Sequence, residues 1–286
     1  MKIRNVRVPE GINVSKHRPL ADFFVLTAGA IGLFAALGLV ALLIGSYAGR
    51  YMPMSWENAL AVAVFEGEAL EKPAAGDREI EAALQALADR LATNMDLPED
   101  LRITVHYQDE DEINAFATLG GHVFVLRGLV RRIPDENALA MVLAHEIAHA
   151  ANRDIAANIG GAMMMQLVLT AAIGSASDLA DKLVAGSNSL LLKQFGREAE
   201  ARADADGLAA VAALYGHVAG ADTFFEIALE QAGQAMPAEG PELLSTHPLS
   251  TNRIAALRGL AAERGWPTEG ERTRLPAALA ALGEDG

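Results

Sequence analysis

The stretch Ala138–Asp154 reads ALAMVLAHEIAHAANRD and contains the pattern His-Glu-x-x-His. Its alanine, leucine and methionine content favours a helix, and Asp135 and Glu136 place acidic charge at the start, as is usual for helix N-termini. On such a helix His145 and His149, four residues apart, project from one face about one turn apart. The stretch therefore predicts a helix that presents two imidazoles to one point.

Two imidazoles at this spacing can bind one tetrahedral zinc ion, with each nitrogen about 2.0–2.1 Å from the metal. Glu146 lies roughly a third of a turn round the helix, too far to be an easy third ligand. It is well placed to take a proton from a zinc-bound water. The alternative is a helix with two incidental histidines, because this short pattern also arises by chance. A zinc site therefore requires a third ligand elsewhere.

A charged segment further along the chain offers that ligand. Arg197–Asp204 reads REAEARAD, and Glu200 and Asp204 share one face of the helix that it predicts. Glu200 can complete a His₂Glu site, and Asp204 can accept the N–H of a ligating imidazole. Taken alone, the alternating charges favour a solvent-exposed helix instead. The ligand set stays open on this segment alone.

The N-terminal region carries the chain's longest apolar stretch, Leu20–Tyr47, whose one charged residue is Asp22. About 20 apolar residues suffice to cross a bilayer as a helix. A cleaved signal peptide is the alternative, but its apolar region is only about 7–15 residues long. We therefore predict a basic tail at 1–19, an uncleaved transmembrane helix at 20–48 and a juxtamembrane segment at 49–75.

Basic residues are concentrated before this span, and only Arg50 follows it before the sequence becomes acidic. The positive-inside rule then places the N-terminus in the cytoplasm. We accordingly predict a single-pass protein of the inner membrane, with its catalytic domain on the periplasmic or extracytoplasmic side.

Charge and composition restrict the function further. The chain has 286 residues and a net charge of −14, and residues 1–48 are basic, so the remainder is more acidic still. This argues against a nucleic-acid partner and against binding of anionic lipid by the soluble part. The chain contains no cysteine, which excludes disulfides, thiolate zinc ligands and a cysteine nucleophile. The oligomeric state is not predicted.

The folded domain is predicted at 76–265, followed by a peripheral C-terminal tail at 266–286. Its pattern indicates an amphipathic helix, Asp77–Met95, and then a small β-sheet. The β candidates are Leu101–Tyr107, Glu112–Thr118 and His122–Leu126, with a tight turn between the last two and a further short strand at Ala59–Phe65 before the domain. The fold class is therefore α+β and mainly helical, preceded by one transmembrane helix.

The apolar stretch Ile155–Ala176 raises the question of a second span. A single crossing there would place Glu200 on the opposite side of the membrane from the histidines. The next stretch, Asp178–Lys193, contains charged residues that do not suit a return span. We therefore predict a helical hairpin that covers the active site, and whether it touches the membrane is left open.

Four stretches, taken together, resemble the membrane-linked gluzincin metallopeptidases, the family of HtpX, BepA and the CAAX prenyl proteases. Their order and spacing argue against coincidence. They are NAFATLGGHVFVLRGL at Asn114–Leu129, HEIAHAANRD at His145–Asp154, REAEARADADG at Arg197–Gly207 and STHPLSTNRI at Ser245–Ile254.

The resemblance implies a zincin-like domain that binds one Zn²⁺ per chain through His145, His149 and Glu200. It implies Glu146 as the catalytic base and supports Asp204 as the carboxylate that orients a ligating imidazole. The resemblance also implies an edge strand that pairs with an extended substrate backbone. The residues of that strand are His122, Val123, Phe124 and Val125.

His247 and Arg253, in the last of the four stretches, are candidates to stabilise the oxyanion. Taken alone they suit a loop histidine and a surface arginine, and the resemblance favours the catalytic roles. His247 could instead occupy the fourth metal position in the resting enzyme. Of the two roles we favour the donor, because Arg253 follows closely and could share the charge.

Two departures from the family pattern matter. Gly196 stands where the family has a serine before Arg197, which removes no ligand. One span is predicted rather than several, and no tetratricopeptide repeats follow, so the chain is closest to a periplasmic BepA-like branch.

The sequence thus predicts a membrane-anchored zinc endopeptidase that cleaves misfolded or envelope polypeptides. Its expected partners are a polypeptide substrate and the bilayer around the N-terminal helix. Two alternatives are a zinc-bound, chaperone-like module that does not cleave and a cytoplasm-facing membrane protease of the HtpX type.

Overall fold

The structure is a computed structural model that describes residues 18–65, 76–173, 195–234, 247 and 251–284. In this part of the chain the helices are α1 Pro19–Arg50, α2 Met54–Phe65, α3 Arg78–Ala92, α4 Arg127–Val130, α5 Glu136–Ala151, α6 Asp154–Ile173, α7 Arg197–Tyr215, α8 Thr223–Gln234, α9 Thr251–Arg264 and α10 Ala277–Glu284. The strands are β1 Thr104–Gln108, β2 Ala115–Ala117 and β3 His122–Leu126. The predicted fold class, mainly helical α+β with a small sheet and an N-terminal apolar helix, is confirmed.

The three strands form one sheet in the order β1-β3-β2. β3 pairs in parallel with β1 and antiparallel with β2. A 3₁₀ turn at Leu119–Gly121 joins β2 to β3, and both of its glycines have positive φ angles, where a side chain would be strained. The strand positions and the tight turn predicted from the sequence are confirmed.

The prediction that β3 offers the substrate-binding edge is wrong. Val123, for example, pairs with Val105 of β1 on one side and with Ala117 of β2 on the other. Its backbone groups are therefore already used, and the strand is buried from Val123 to Leu126. A continuous apolar run of this kind is typical of a central strand. The edge that faces the histidine helix is β2.

The His-Glu-x-x-His helix, α5, is buried along almost its whole length. Its start is fixed by Asp135, whose side chain accepts a hydrogen bond from the Ala138 N–H at 2.9 Å. The amphipathic helix α3, which the sequence predicted, packs on α5 and buries Leu84, Leu87 and Leu91 in the same core. α5 is therefore held rigidly at the centre of the domain.

α7 packs along the opposite face of α5 at close range. A Cβ atom placed on Gly207 would lie 3.2 Å from the backbone nitrogen of His145. Ala203, one turn earlier, is fully buried. Small side chains therefore let this helix approach closely enough for its carboxylates to reach the histidines.

α1 and α6 form a second close pair and run antiparallel. A Cβ atom on Gly45 would overlap the carbonyl oxygen of Gly160, and one on Gly49 would overlap that of Ala156. Both helices are long and apolar enough to cross a membrane by length and composition. Apart from this contact stripe, most of α1 is exposed.

α6 confirms the predicted helix after the active-site motif but corrects its position. It lies along α1, and only its first half, near Ile155 and Ile159, lines the cleft beside Glu146. It therefore flanks the active site and does not cover it. The predicted second arm, Asp178–Lys193, lies outside the described residues.

The predicted short strand at Ala59–Phe65 is wrong, since these residues belong to α2. Glu57 and Ala61, spaced for a helix, are buried. Glu57 accepts a hydrogen bond from the Gly120 N–H at 2.9 Å and forms an ion pair with Arg153 at 2.8 Å. These tertiary contacts stabilise a helix, although the short apolar run by itself fits either a helix or a strand.

The C-terminal segment is not peripheral, contrary to the prediction. Leu279 of α10 is 1% exposed and belongs to the main core. The Glu136 N–H, at the start of α5, donates to the carbonyl of Thr273 at 2.9 Å. The described part of 266–286 is therefore packed into the same unit as α5.

Candidate metal centre

Four buried side chains converge between α5 and α7: His145, His149, Glu200 and His247. One ligand atom from each lies within 4.8 Å of all the others. The two Nε2 atoms of His145 and His149 are 3.1 Å apart, and Glu200 lies 3.4 Å from His149 Nε2. The structure thus brings together the three predicted metal ligands and adds His247.

These spacings fit a metal ion. Four atoms placed tetrahedrally at about 2.0–2.1 Å from one zinc ion are about 3.4 Å from one another. His247 Nδ1 lies 3.3 Å from His145 Nε2 and 2.8 Å from a Glu200 oxygen. Nitrogen and carboxylate oxygen donors in this number are the set that zinc prefers.

Each α5 histidine is oriented by a carboxylate on its other nitrogen. His149 Nδ1 lies 3.0 Å from Asp154, and His145 Nδ1 lies 3.0 Å from Asp204. A carboxylate at Nδ1 holds the proton there, which leaves the Nε2 lone pair free for a metal. The predicted Asp204 contact is therefore present, and Asp154 supplies its equivalent for the second ligand.

The electrostatics of the cluster couple its groups strongly. Burial alone would lower the pKa of His149, but contacts with Asp154 and Glu200 raise it to about 9. Burial would raise the pKa of Glu200, but its contacts with His149 and His247 hold that pKa well below its usual range. A metal ion would therefore compete with a proton for this site, and its affinity would rise with pH.

Glu146 lies beside the ligand cluster without belonging to it. The carboxylate is 1% exposed and accepts a hydrogen bond from the Ala117 N–H of β2 at 3.0 Å. Its other oxygen lies 3.6 Å from His247 Nε2. The backbone of the edge strand thus fixes one oxygen and leaves the other directed at the cluster.

Arg253 lies differently from the oxyanion role suggested by the sequence. Its guanidinium donates two hydrogen bonds to Asp204, at 2.7 and 2.8 Å, and its Nη1 lies 2.8 Å from Glu200. It also lies over the ring of Phe225, at 5.0 Å. These contacts orient two carboxylates, so the geometry favours a positioning role.

A cleft of about 730 Å³ opens beside Glu146. It is bounded by β2 on one side and by the start of α6 on the other, with Leu60 of α2 and Phe195 completing its apolar wall. The cleft is large enough for several residues of an extended peptide.

Sequence reasoning missed several residues of this site. Asp154 stands inside the quoted motif, and its position five residues after His149 could have indicated the contact. Phe195, whose ring stacks on that of His149 with centroids 4.0 Å apart, has no local signal. Nor does Ala117, which acts through its backbone N–H.

Comparison with known proteins agrees with this geometry. Residues 79–261 match Peptidase family M48. The mitochondrial metalloendopeptidase OMA1 of Danio rerio is 32% identical over 200 residues, which cover 64% of this chain and 40% of that protein.

Two bacterial relatives carry the name beta-barrel assembly-enhancing protease. The protein from Escherichia coli (strain K12) is 31% identical over 164 residues, covering 54% of this chain and 33% of the relative. The protein from Yersinia pestis is 26% identical over 258 residues, covering 85% of this chain and 52% of the relative. The chain thus spans about half or less of the length of these relatives.

The family match covers more than half of the chain. OMA1 is a metalloendopeptidase by name, and the bacterial relatives are proteases by name. The apolar helix α1 and the His/Glu cluster that could hold a metal ion are compatible with that family. The resemblance to HtpX-type and BepA-type proteins is confirmed. The chain belongs to peptidase family M48.

Proposed function

We propose that the protein is a membrane-anchored zinc endopeptidase in which His145, His149 and Glu200 hold the metal. The observation that carries this proposal is the buried cluster of metal-ligand atoms with Glu146 beside it. When bound, zinc would lower the pKa of its water to about 7 and polarise the substrate carbonyl.

Glu146 is the proposed base and then the proton donor to the leaving amine. The hydrogen bond from Ala117 fixes one carboxylate oxygen, so the other remains directed at the metal ligands. Because the group is buried, water does not compete for the proton that it transfers. Asp154 and Asp204 keep the imidazoles in the ligating tautomer, and Arg253 orients Asp204 and Glu200.

The substrate is proposed to bind as an extended strand along β2. The Thr118 N–H donates to the His122 carbonyl of β3, and the Asn114 carbonyl accepts from the Leu126 N–H. The backbone groups of these alternate residues therefore point towards β3. Ala117 therefore directs its backbone groups away from β3 and towards the cleft that it lines, where its N–H is bonded to Glu146 and its carbonyl is available to a peptide. An extended peptide can add to this edge with its carbonyl near Glu146, whatever its side chains.

The membrane topology is also a proposal. α1 anchors the chain with its N-terminus in the cytoplasm, and the domain from about residue 76 lies on the periplasmic side of the inner membrane. Basic residues before α1 and the acidic domain after it support this orientation. Misfolded or envelope proteins are the proposed substrates, in line with relatives named for β-barrel assembly. A cytoplasm-facing domain is the alternative topology.

Substitution Glu146→Gln tests the central proposal. We expect proteolysis of an unfolded model protein to fall by about 10²–10⁴-fold, because the base is lost. Elemental analysis of the purified full-length protein should still find about one zinc per chain, because no ligand is removed. Glu198→Gln, on the exposed side of α7, is the control and should leave activity unchanged. Retained activity in Glu146→Gln would refute the proposed base, and loss of zinc would identify Glu146 as a ligand.

His247 is proposed to occupy the fourth metal position in the resting enzyme. Its membership of the ligand cluster supports this role over the oxyanion donor favoured by the sequence. Substitution His247→Ala should then raise the rate of cleavage of an unfolded substrate, since the fourth position opens to water. A drop in kcat of about 10²–10³-fold with zinc retained would instead establish the donor role.

A further inference from the structure

We infer that α6 lies inside the bilayer beside α1, so that an antiparallel helix pair holds the protein in the membrane. This inference rests on the proposal that α1 is the membrane anchor. It replaces the single span expected from the sequence.

Depth along α1 carries the inference. Gly38 of α1 contacts Met165 of α6, and Gly45 contacts Gly160 and Met164. Gly38 lies twelve residues before Arg50, which is about 18 Å along a helix axis. If α1 crosses the bilayer, the middle of α6 must therefore lie at hydrocarbon depth for these contacts to exist.

The composition of α6 suits that position. No charged side chain occurs from Ile155 to Ile173, and the helix passes the length and composition test for a span. On the face turned away from α1, Leu167 is 62% exposed, and Met163, which also lines the cleft, is 57% exposed. Exposure of such a face to water would be unfavourable, whereas lipid chains would cover it.

The close backbone contacts are also those that membrane helices use. Gly45 and Gly49 on α1 face Ala156 and Gly160 on α6, and each pair is spaced by four residues. Small residues at this spacing let two helices approach without bulky side chains, which favours association where no hydrophobic effect operates.

Charged and aromatic residues cluster where α1 ends and α6 begins, which is where both helices would enter the bilayer. Asp154, the first residue of α6, lies 3.1 Å from Arg50, the last residue of α1. Tyr47, Tyr51 and Trp56 are each more than 60% exposed at this end. Aromatic side chains of this kind concentrate at the boundary between lipid and water. The metal ligand His149, bonded to Asp154, therefore lies close to the membrane surface.

A second membrane helix is compatible with the position of Glu200. Glu200 lies against the histidines, and the Phe195 ring stacks on His149, so the chain has returned to the start of α6 by that point. α6 is about 30 Å long, at 1.5 Å per residue.

The absence of cysteine allows a direct test with single labels. Met163→Cys and Leu167→Cys on α6 would each carry an environment-sensitive fluorophore in the full-length protein, reconstituted into phosphatidylethanolamine–phosphatidylglycerol vesicles. Leu33→Cys, on the exposed side of α1, is the lipid control, and Glu198→Cys is the water control. Quenching is measured with nitroxide attached to lipid acyl chains and with aqueous iodide.

The labels on α6 should be quenched by the lipid nitroxide as strongly as the label at Leu33, and protected from iodide. α6 labels that behave like the one at Glu198, while Leu33 is quenched by lipid, would overturn the inference and leave the α1 anchor intact. An aqueous response at Leu33 would overturn both the inference and the proposed anchor.

A packing measurement provides a second test. Gly45→Leu should lower the thermal midpoint of the full-length protein in micelles, because the added side chain meets the backbone of Gly160. Gly32→Leu is the matched control, because a Cβ atom there has nothing within 4 Å. Equal midpoints for the two variants would overturn the proposed pairing.

Discussion

Two helix pairs in this molecule are built by the same means and used differently. In the metal pair, α5 and α7, Gly207 lets one backbone approach His145 of the other. In the membrane pair, α1 and α6, Gly45 and Gly160 do the same at still closer range. Both pairs therefore depend on residues that have little or no side chain.

The pairs differ in what stands beside the small residues. The metal pair buries ionisable groups, among them His145, Glu200 and Asp204, which burial would make unfavourable without partners. The α1–α6 pair has methionine and leucine there, and its charged residues, Asp22, Arg50 and Asp154, lie near the helix ends. Close packing thus supplies proximity alone, and the neighbouring side chains distinguish the candidate metal centre from the proposed lipid anchor.

Removal of a metal ligand from the α5–α7 pair should have the largest effect on zinc affinity and proteolysis. Glu200→Ala is expected to abolish proteolysis and to weaken zinc binding by more than about 100-fold, since even an outer partner of a ligand is worth about 10–100-fold. Competition with a chromophoric chelator measures the affinity. Glu198→Ala, on the exposed side of the same helix, should bind zinc like the parent. Normal zinc affinity in Glu200→Ala would mean that another residue is the third ligand.

A clash inside the metal pair should have an intermediate effect. Gly207→Val forces side-chain atoms against the backbone of His145, where even a Cβ atom would lie at 3.2 Å. We expect zinc affinity to fall about tenfold or more, because overpacking of this kind costs about 1–3 kcal/mol. Gly259→Val, at an open position of α9, is the control. Gly45→Leu should leave zinc affinity unchanged, and an equal loss in both glycine variants would mean that the two pairs are not separate in function.

The smallest effect is expected where the pairs meet. Arg50 and Arg202 each lie 3.1 Å from the same oxygen of Asp154, and both are more than 40% exposed. Arg50→Ala or Arg202→Ala alone should weaken zinc binding less than about fivefold, since exposed ion pairs are worth about 0–1 kcal/mol. The double variant should lose more than the product of the two, because either arginine can support Asp154 alone. Strictly multiplicative losses would contradict this shared role.

Local pattern was enough to predict α3, α5 and the three strands, because their periodicity lies within short stretches. The two histidines share that advantage. Glu200 is far from them along the chain, so its alternating charges fitted an exposed helix equally well until the family resemblance was added. The edge strand was misassigned because the family resemblance placed it at His122–Val125, although the apolar run of β3 is typical of a central strand.

Contacts between distant segments explain the other errors. α2 resembled a strand because a short apolar run fits either a strand or a helix. The contacts of Glu57 with Gly120 and Arg153, which stabilise the helix, form only in the tertiary fold. α6 was predicted to cover the active site. The glycines in its sequence do not indicate that they pack against α1. Strand order and helix partners are properties of the tertiary fold.

The contact between α1 and α6 bears on whether the enzyme can ever be shed from the membrane. Proteolytic processing between α1 and α2, as by a signal peptidase, would separate the first helix but leave α6 embedded and unpartnered. It would also remove Arg50 from Asp154, the carboxylate that holds His149. If α6 lies in the bilayer, the domain would therefore remain lipid-bound after such a cut, with Arg202 still paired to Asp154, and would not become a secreted protease.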